Sequence, residues 1–168
     1  MTESYQPTAT ELGYLRRCIE LAREALHDGD EPFGSLLVGA SGEVLFADRN
    51  RVKDGDATRH PEFEIARWAA ANLAPVRRAE STVYTSGEHC PMCAAAHGWV
   101  GLGRIVYAAS SAQLAGWIAE WGGSPAPVAA LPIGEVAPGV VALGPVAELE
   151  AEVRALHERL HASVSSGL

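Results

Sequence analysis

Lysine is almost missing from this chain. Lys53 stands alone among 168 residues, beside twelve arginines and twenty-one acidic residues, and the formal net charge is −8. Nucleic-acid affinity rests largely on neutralising phosphates with a basic face, which this balance makes hard to build. The expected partner is therefore a small molecule rather than a nucleic acid, although Arg49, Arg51, Lys53 and Arg59 form one local cationic group. Long apolar runs are also absent. No stretch approaches the roughly 20 apolar residues of a membrane-crossing helix, and Met1–Tyr5 is neither basic nor followed by an apolar signal core. The expectation is a cytoplasmic protein without membrane contact. Only three cysteines occur: two share one short motif, and Cys18 falls on an apolar helical stripe as a free buried thiol, so no disulfide framework is expected.

What the chain does have is His60-Pro61-Glu62, followed after twenty-seven residues by Cys90-Pro91-Met92-Cys93. His60, Cys90 and Cys93 offer one imidazole and two thiolates, a donor set that suits Zn²⁺ better than magnesium or calcium. Three protein ligands leave the fourth tetrahedral corner open for water, whose pKa zinc lowers to about 7. Glu62, two residues past the histidine, can stand beside the metal without binding it and carry protons. The competing structural readings are a helix-start carboxylate stabilised by the dipole, and a closed structural zinc site for which His89 is the nearest candidate fourth ligand, awkwardly adjacent to Cys90.

Hydrophobic periodicity supplies the frame. Leu12, Leu15, Ile19, Ala22 and Leu26 predict a helix over residues 9–28, with Thr8 and Glu11 as a capping box and Gly29 as its stop. Residues 33–40 and 43–49 read as antiparallel strands joined by a two-residue hairpin at Ser41-Gly42. Pro61 opens a helix that ends before Pro75, which places His60 and Glu62 at its first turn. A strand over 81–86 leads to a second helix opened by Pro91. Arg104–Ala109 is a further strand, 112–121 a helix, 136–143 a last short strand, and 146–160 a final helix. Helices alternating with strands predict a layered α/β sheet in one domain spanning 1–168.

The motifs together resemble the cytidine deaminase-like superfamily, in the branch of guanine, cytosine and tRNA-adenosine deaminases. The resemblance rests on Pro32-Phe33-Gly34 before the first strand, Asn50 after the second, the Asp56-Ala57-Thr58-Arg59-His60 run, and the two ligand motifs. A histidine ligand followed by a non-ligand glutamate and a Cys-x-x-Cys pair marks zinc-dependent base deaminases. Pro61 and His89 depart from that branch, where alanine and proline are usual. The resemblance implies a three-layer α/β/α fold on a mixed five-stranded sheet, one zinc per chain and a homodimer. It also implies hydrolytic release of ammonia from a free nucleobase or similar aminated heterocycle, with Glu62 catalytic. Alternatives are a tRNA adenosine deaminase and a non-catalytic zinc module.

The resemblance assigns Asn50 to base binding, against an Asx-turn that merely closes a strand. Phe33 is a candidate pocket wall, and Trp117 or Trp121 can stack on a planar ring; each can equally be core. Pro61 lacks the backbone N–H that relatives can offer a substrate. Trp68 and Trp99 are assigned to packing, and His27, His97, His157 and His161 to surface or capping roles.

Overall fold

The structure is a computed structural model and describes residues 5–166; the N-terminal segment whose lack of a signal core is noted above lies mostly outside them. α1 (Ala9–His27) starts where the sequence predicts. The Thr8 hydroxyl accepts from the Glu11 N–H at 3.2 Å, and the Glu11 carboxylate accepts from the Thr8 N–H at 2.9 Å. Its inward stripe of Leu15, Cys18, Ile19, Ala22 and Ala25 is buried, and Gly29 ends the chain's turn at φ +89°.

β1 (Gly34–Val38) and β2 (Val44–Arg49) pair antiparallel as expected. Their connection is one residue longer than the expected two-residue hairpin. Gly39 donates to Glu43 O, Gly42 donates to Gly39 O, and Gly42 has φ +88°. Three residues, Ala40–Gly42, therefore form the loop, with the glycine in the left-handed region that a type I turn with a bulge requires. α2 (Pro61–Asn72) ends as Pro75 demands, and Pro75 itself opens a short helix, α3 (Pro75–Ala79), that periodicity did not mark. β3 (Thr82–Gly87), α4 (Pro91–Val100), β4 (Arg104–Ala109) and α5 (Ser111–Glu120) follow closely the predicted order.

The expected strand over 136–143 shrinks to β5 (Ala142–Leu143). Val136 instead closes a short helix, α6 (Ile133–Val136), because Pro132 can precede a helix but Pro138 cannot donate to a ladder. The last helix begins as a 3₁₀ turn at Ala147–Leu149 and continues as α7 (Glu150–Ser165).

The described strands form a five-stranded mixed sheet in the order β2-β1-β3-β4-β5, with β1 antiparallel to both neighbours and β3, β4 and β5 parallel. Successive side chains leave a strand on opposite faces, so Leu36, Val38, Tyr84 and Val106 pack with α1, α5 and α7, while Leu37, Val83 and Ile105 pack with α2, α4 and α6. This is the three-layer α/β/α fold. Gly34 has to be glycine for close packing, because a Cβ there would stand 2.3 Å from Cys18 O. The start of β1 pairs with the end of β3, Ser35 opposite Thr85. α4 opens three residues beyond that end of β3, and Glu62 in the first turn of α2 meets the same pair of strands.

Two packing expectations are overturned. His97 and His157 are buried rather than surface residues: His97 Nε2 lies 2.7 Å from Gly103 O, and the His157 ring meets Phe33 edge-on at 4.9 Å. Trp99, assigned to packing, is 91 % exposed, because α4 is apolar on all sides and only one side faces the sheet. Trp68 does pack, stacked on Phe46 at 5.2 Å. Among the described residues no helix is long and apolar enough to cross a membrane.

Candidate metal centre and active site

His60 occupies the N-cap position of α2 and Cys90 that of α4, each followed by a proline whose missing N–H costs nothing at the first helical position. Cys93 follows one turn into α4. The ligand atoms converge as an equilateral triangle: His60 Nδ1 lies 3.6 Å from each sulfur, and the sulfurs lie 3.6 Å apart. A tetrahedral zinc with ordinary bond lengths holds such donors about 3.5–3.8 Å from one another. The residues thus fit zinc by donor chemistry and by spacing, and among the described residues these three are the group able to hold an ion.

Charge makes the same point. The Cys90 thiol is pulled down to about 4, first by its contact with Cys93 and then by His60, against burial. Cys93 is pushed up, chiefly by its contact with Cys90. One thiolate suppresses its neighbour, and a cation between them is what allows both to ionise. His60 is raised by its contact with the Cys90 sulfur.

Glu62 is buried beside the triangle without belonging to it. Its Oε1 is held by the hydroxyls of Thr85 at 2.9 Å and Ser35 at 3.0 Å, which are 2.9 Å from each other. Its Oε2 faces Cys93 Sγ at 3.9 Å. Burial raises its pKa while the His60 charge and these hydroxyls oppose the rise, so the carboxylate is held where it can both accept and return a proton. Ser35 and Thr85 were not singled out from the sequence; for Ser35 the available signal is a small hydroxyl residue inside an otherwise apolar, fully buried strand, whereas β3 carries several hydroxyl residues and does not mark Thr85 among them.

His89 does not join the ligands. It is buried, both ring nitrogens are without a partner, and the ring meets that of His97 at 5.5 Å. Glu88, also unmarked by the sequence, braces the floor: one carboxylate oxygen accepts from Ser111 N–H at 2.8 Å and the other from Ile133 N–H at 3.0 Å, fixing the starts of α5 and α6.

Asn50 is fully buried. Its Oδ1 accepts from the Val52 N–H at 3.2 Å, the Asx-turn geometry, while Nδ2 points toward Glu31 at 3.5 Å. Phe33 packs on Gly87, where a Cβ would approach its ring to 2.9 Å, so it stands at the β3 end that leads to Cys90. Pro61 is buried at the start of α2 between His60 and Glu62. Trp117 is in the core beneath α7, and Trp121 lies against His161 at 5.7 Å; both rings face Arg154, at 5.9 and 5.8 Å. Of the local cationic group in the sequence, Arg49 is paired with Asp28 and Asp30, and Arg51 with Asp48.

Residues 9–109 match the family described as the cytidine and deoxycytidylate deaminase zinc-binding region. The chain belongs to this family. A "probable cytosine deaminase" of Schizosaccharomyces pombe is 36 % identical over 106 residues, covering 62 % of this chain and 63 % of that protein. A guanine deaminase of Bacillus subtilis is 31 % identical over 103 residues, covering 61 % of this chain and 66 % of that protein. The match thus spans just under two thirds of each relative. A solved structure holding 8-azaguanine superposes with TM-score 0.72 at 25 % identity, over 93 % of this chain and 86 % of that one. Membership in the deaminase family agrees with the donor triangle and with the separate carboxylate, which supports hydrolytic deamination as the family chemistry.

Proposed function

We propose that the chain is a zinc-dependent deaminase of free nucleobases or similar small heterocycles, replacing a ring amino group by oxo with release of ammonia. The observation that carries this reading is Glu62: a buried carboxylate, fixed by two hydroxyls and aimed past Cys93, that is not spent on the ligand triangle. One zinc, held by His60 Nδ1 and the sulfurs of Cys90 and Cys93, would supply a Lewis acid and a water of lowered pKa. Glu62 takes the proton from the attacking water and delivers it to the ring nitrogen beside the reacting carbon. It then takes the proton of the hydroxyl added to the carbon and passes it to the amino group, so that the C–N bond breaks, ammonia leaves and the carbonyl forms. General acid–base work of this kind contributes about 10²–10⁴ in rate.

Asn50 supplies polar recognition of the heterocycle and Phe33 an apolar wall, while Pro61 withholds a backbone donor. Trp117 and Trp121 are occupied by packing between α5 and α7, which leaves Asn50, Phe33 and Pro61 as the pocket residues of this proposal. A small substrate is favoured over tRNA because Arg49 and Arg51 are already paired with carboxylates and the net charge is −8. We assign the activity to one domain over 1–168, acting as a homodimer in the cytoplasm, where the ligand thiols stay reduced.

Ammonia release from a panel of guanine, cytosine, isocytosine, adenine and aminotriazines, run beside a tRNA anticodon stem, tests the proposal. Turnover of a free heterocycle with no tRNA binding at physiological salt is the expected result. Submicromolar tRNA affinity with a steep salt slope would install adenosine deamination on tRNA instead. Zinc binding without turnover of any of these would leave a zinc module.

A further inference from the structure

The loop between α1 and β1 holds two adjacent carboxylates with different fates. Asp30 is fully engaged: Arg49 Nη1 donates to it at 3.0 Å and the Lys53 N–H at 2.9 Å. Glu31 is half-buried, and its one side-chain contact is Asn50 Nδ2 at 3.5 Å, beyond the ordinary hydrogen-bond range. Its backbone is fixed, since Glu31 O accepts from the Phe33 N–H at 2.8 Å and Phe33 O accepts from the Asn50 N–H at 3.0 Å. The loop that carries Glu31 therefore also carries the pocket wall and docks on the residue assigned to base recognition. The Glu31 carboxylate is not one of the ligand group; burial raises its pKa and the charge of His60 opposes the rise.

A carboxylate partly withdrawn from water, with one long side-chain contact, has acceptor capacity to spare for a ligand. Asn50 offers it only the Nδ2 group, held 3.5 Å away while Oδ1 accepts from the Val52 N–H. Resting on the proposed deamination of small heterocycles, we infer that Glu31 is a specificity residue. It accepts hydrogen bonds from N–H groups on the substrate edge away from the reacting carbon, a second amino group or a ring N–H. This selects diamino- or guanine-type heterocycles over rings that present only lone pairs there. A lone pair set against this carboxylate would leave both groups unpaired and repelling, and sites built around a substrate N–H discriminate strongly against analogues without it.

The test compares two pairs that differ by one amino group: 2,6-diaminopurine with adenine, and 2,4-diamino-1,3,5-triazine with 2-amino-1,3,5-triazine. Wild type should favour the diamino member of each pair at least tenfold in kcat/KM. Glu31→Gln should reduce that ratio tenfold or more, through KM for the diamino compound with kcat little changed, and with zinc content and melting temperature kept. A merely structural Glu31 would lower both members of a pair alike and leave the ratio standing, and an unchanged ratio overturns the inference. Calorimetric binding of the same four compounds to zinc-loaded wild type and Glu31→Gln separates the two claims. If nothing is deaminated but the binding ratio still depends on Glu31, the deaminase reading fails while the recognition role holds. If neither turnover nor binding distinguishes the pairs, the recognition role is wrong.

Discussion

Glu62 and Cys93 face each other across 3.9 Å, from carboxylate Oε2 to thiol sulfur, although they belong to different helices and stand thirty-one positions apart. Both helix starts bear on one spot, where the N-terminal dipoles favour anionic side chains; without a cation between the sulfurs only Cys90 takes the thiolate form readily, and Cys93 is pushed up by it. Glu62 gains a fixed position there from Ser35 and Thr85, which hold Oε1 and leave Oε2 facing Cys93.

Removal of those hydroxyls should act on protons rather than on metal. Hydrogen bonds from Thr85 and Ser35 lower the Glu62 pKa, so Thr85→Val or Ser35→Ala should raise it further. The acid limb of the pH–rate profile should then move to higher pH. A hydrogen bond to a charged group is worth about 1.5–3 kcal/mol, so kcat should drop roughly ten- to a hundredfold. Unaltered zinc content with a shifted limb supports the assignment; an unmoved profile in both variants removes it.

His157 should make the fold acid-sensitive. Burial pushes its pKa down to about 4, from an ordinary value of 6.5. A group depressed in the folded state contributes stability above its unfolded pKa and loses it as pH falls toward the folded one. The window is therefore pH 6.5 to about 4, and the loss from this residue is about 2 kcal/mol between pH 7 and pH 5. Denaturant unfolding at the two pH values should show His157→Leu to be less pH-dependent by that amount. Equal pH dependence in the two proteins would place the acid sensitivity elsewhere.

Pro61 should narrow the choice of heterocycle. It lies buried between ligand and proton carrier and has no N–H. A substrate acceptor placed against it stays unpaired, at about 1–3 kcal/mol, or roughly ten- to a hundredfold in selectivity. Pro61→Ala restores the donor at a position that tolerates alanine, and should raise kcat/KM for bases with an acceptor there. The same ranking of guanine, cytosine, isocytosine, adenine and aminotriazines in both proteins would show that the missing donor is irrelevant.

The candidate donor group could be picked out of the chain because a metal site constrains both residue type and spacing: His60, Cys90 and Cys93 stand out without their neighbours, the prolines beside them announce the helix starts, and the structure brings the three donor atoms together. Ser35 and Thr85 gave no comparable sign, since a hydroxyl in a buried strand becomes meaningful only when β1 and β3 pair and set the two opposite Glu62. The strand over 136–143 was over-long because apolar residues between prolines satisfy a strand pattern, whereas the ladder bonds only Ala142 and Leu143. His97, His157 and Trp99 were misplaced for one reason. Burial depends on which helix returns to which sheet face, and α7 brings His157 onto Phe33 from 124 positions away.

If Glu62 carries protons and holds no metal, zinc content and ammonia release measured on one preparation of Glu62→Gln will part company: one zinc per chain, as in wild type, with turnover reduced by about 10² or more. Full zinc occupancy with wild-type turnover would contradict it, and so would loss of zinc together with activity, which would make Glu62 a ligand.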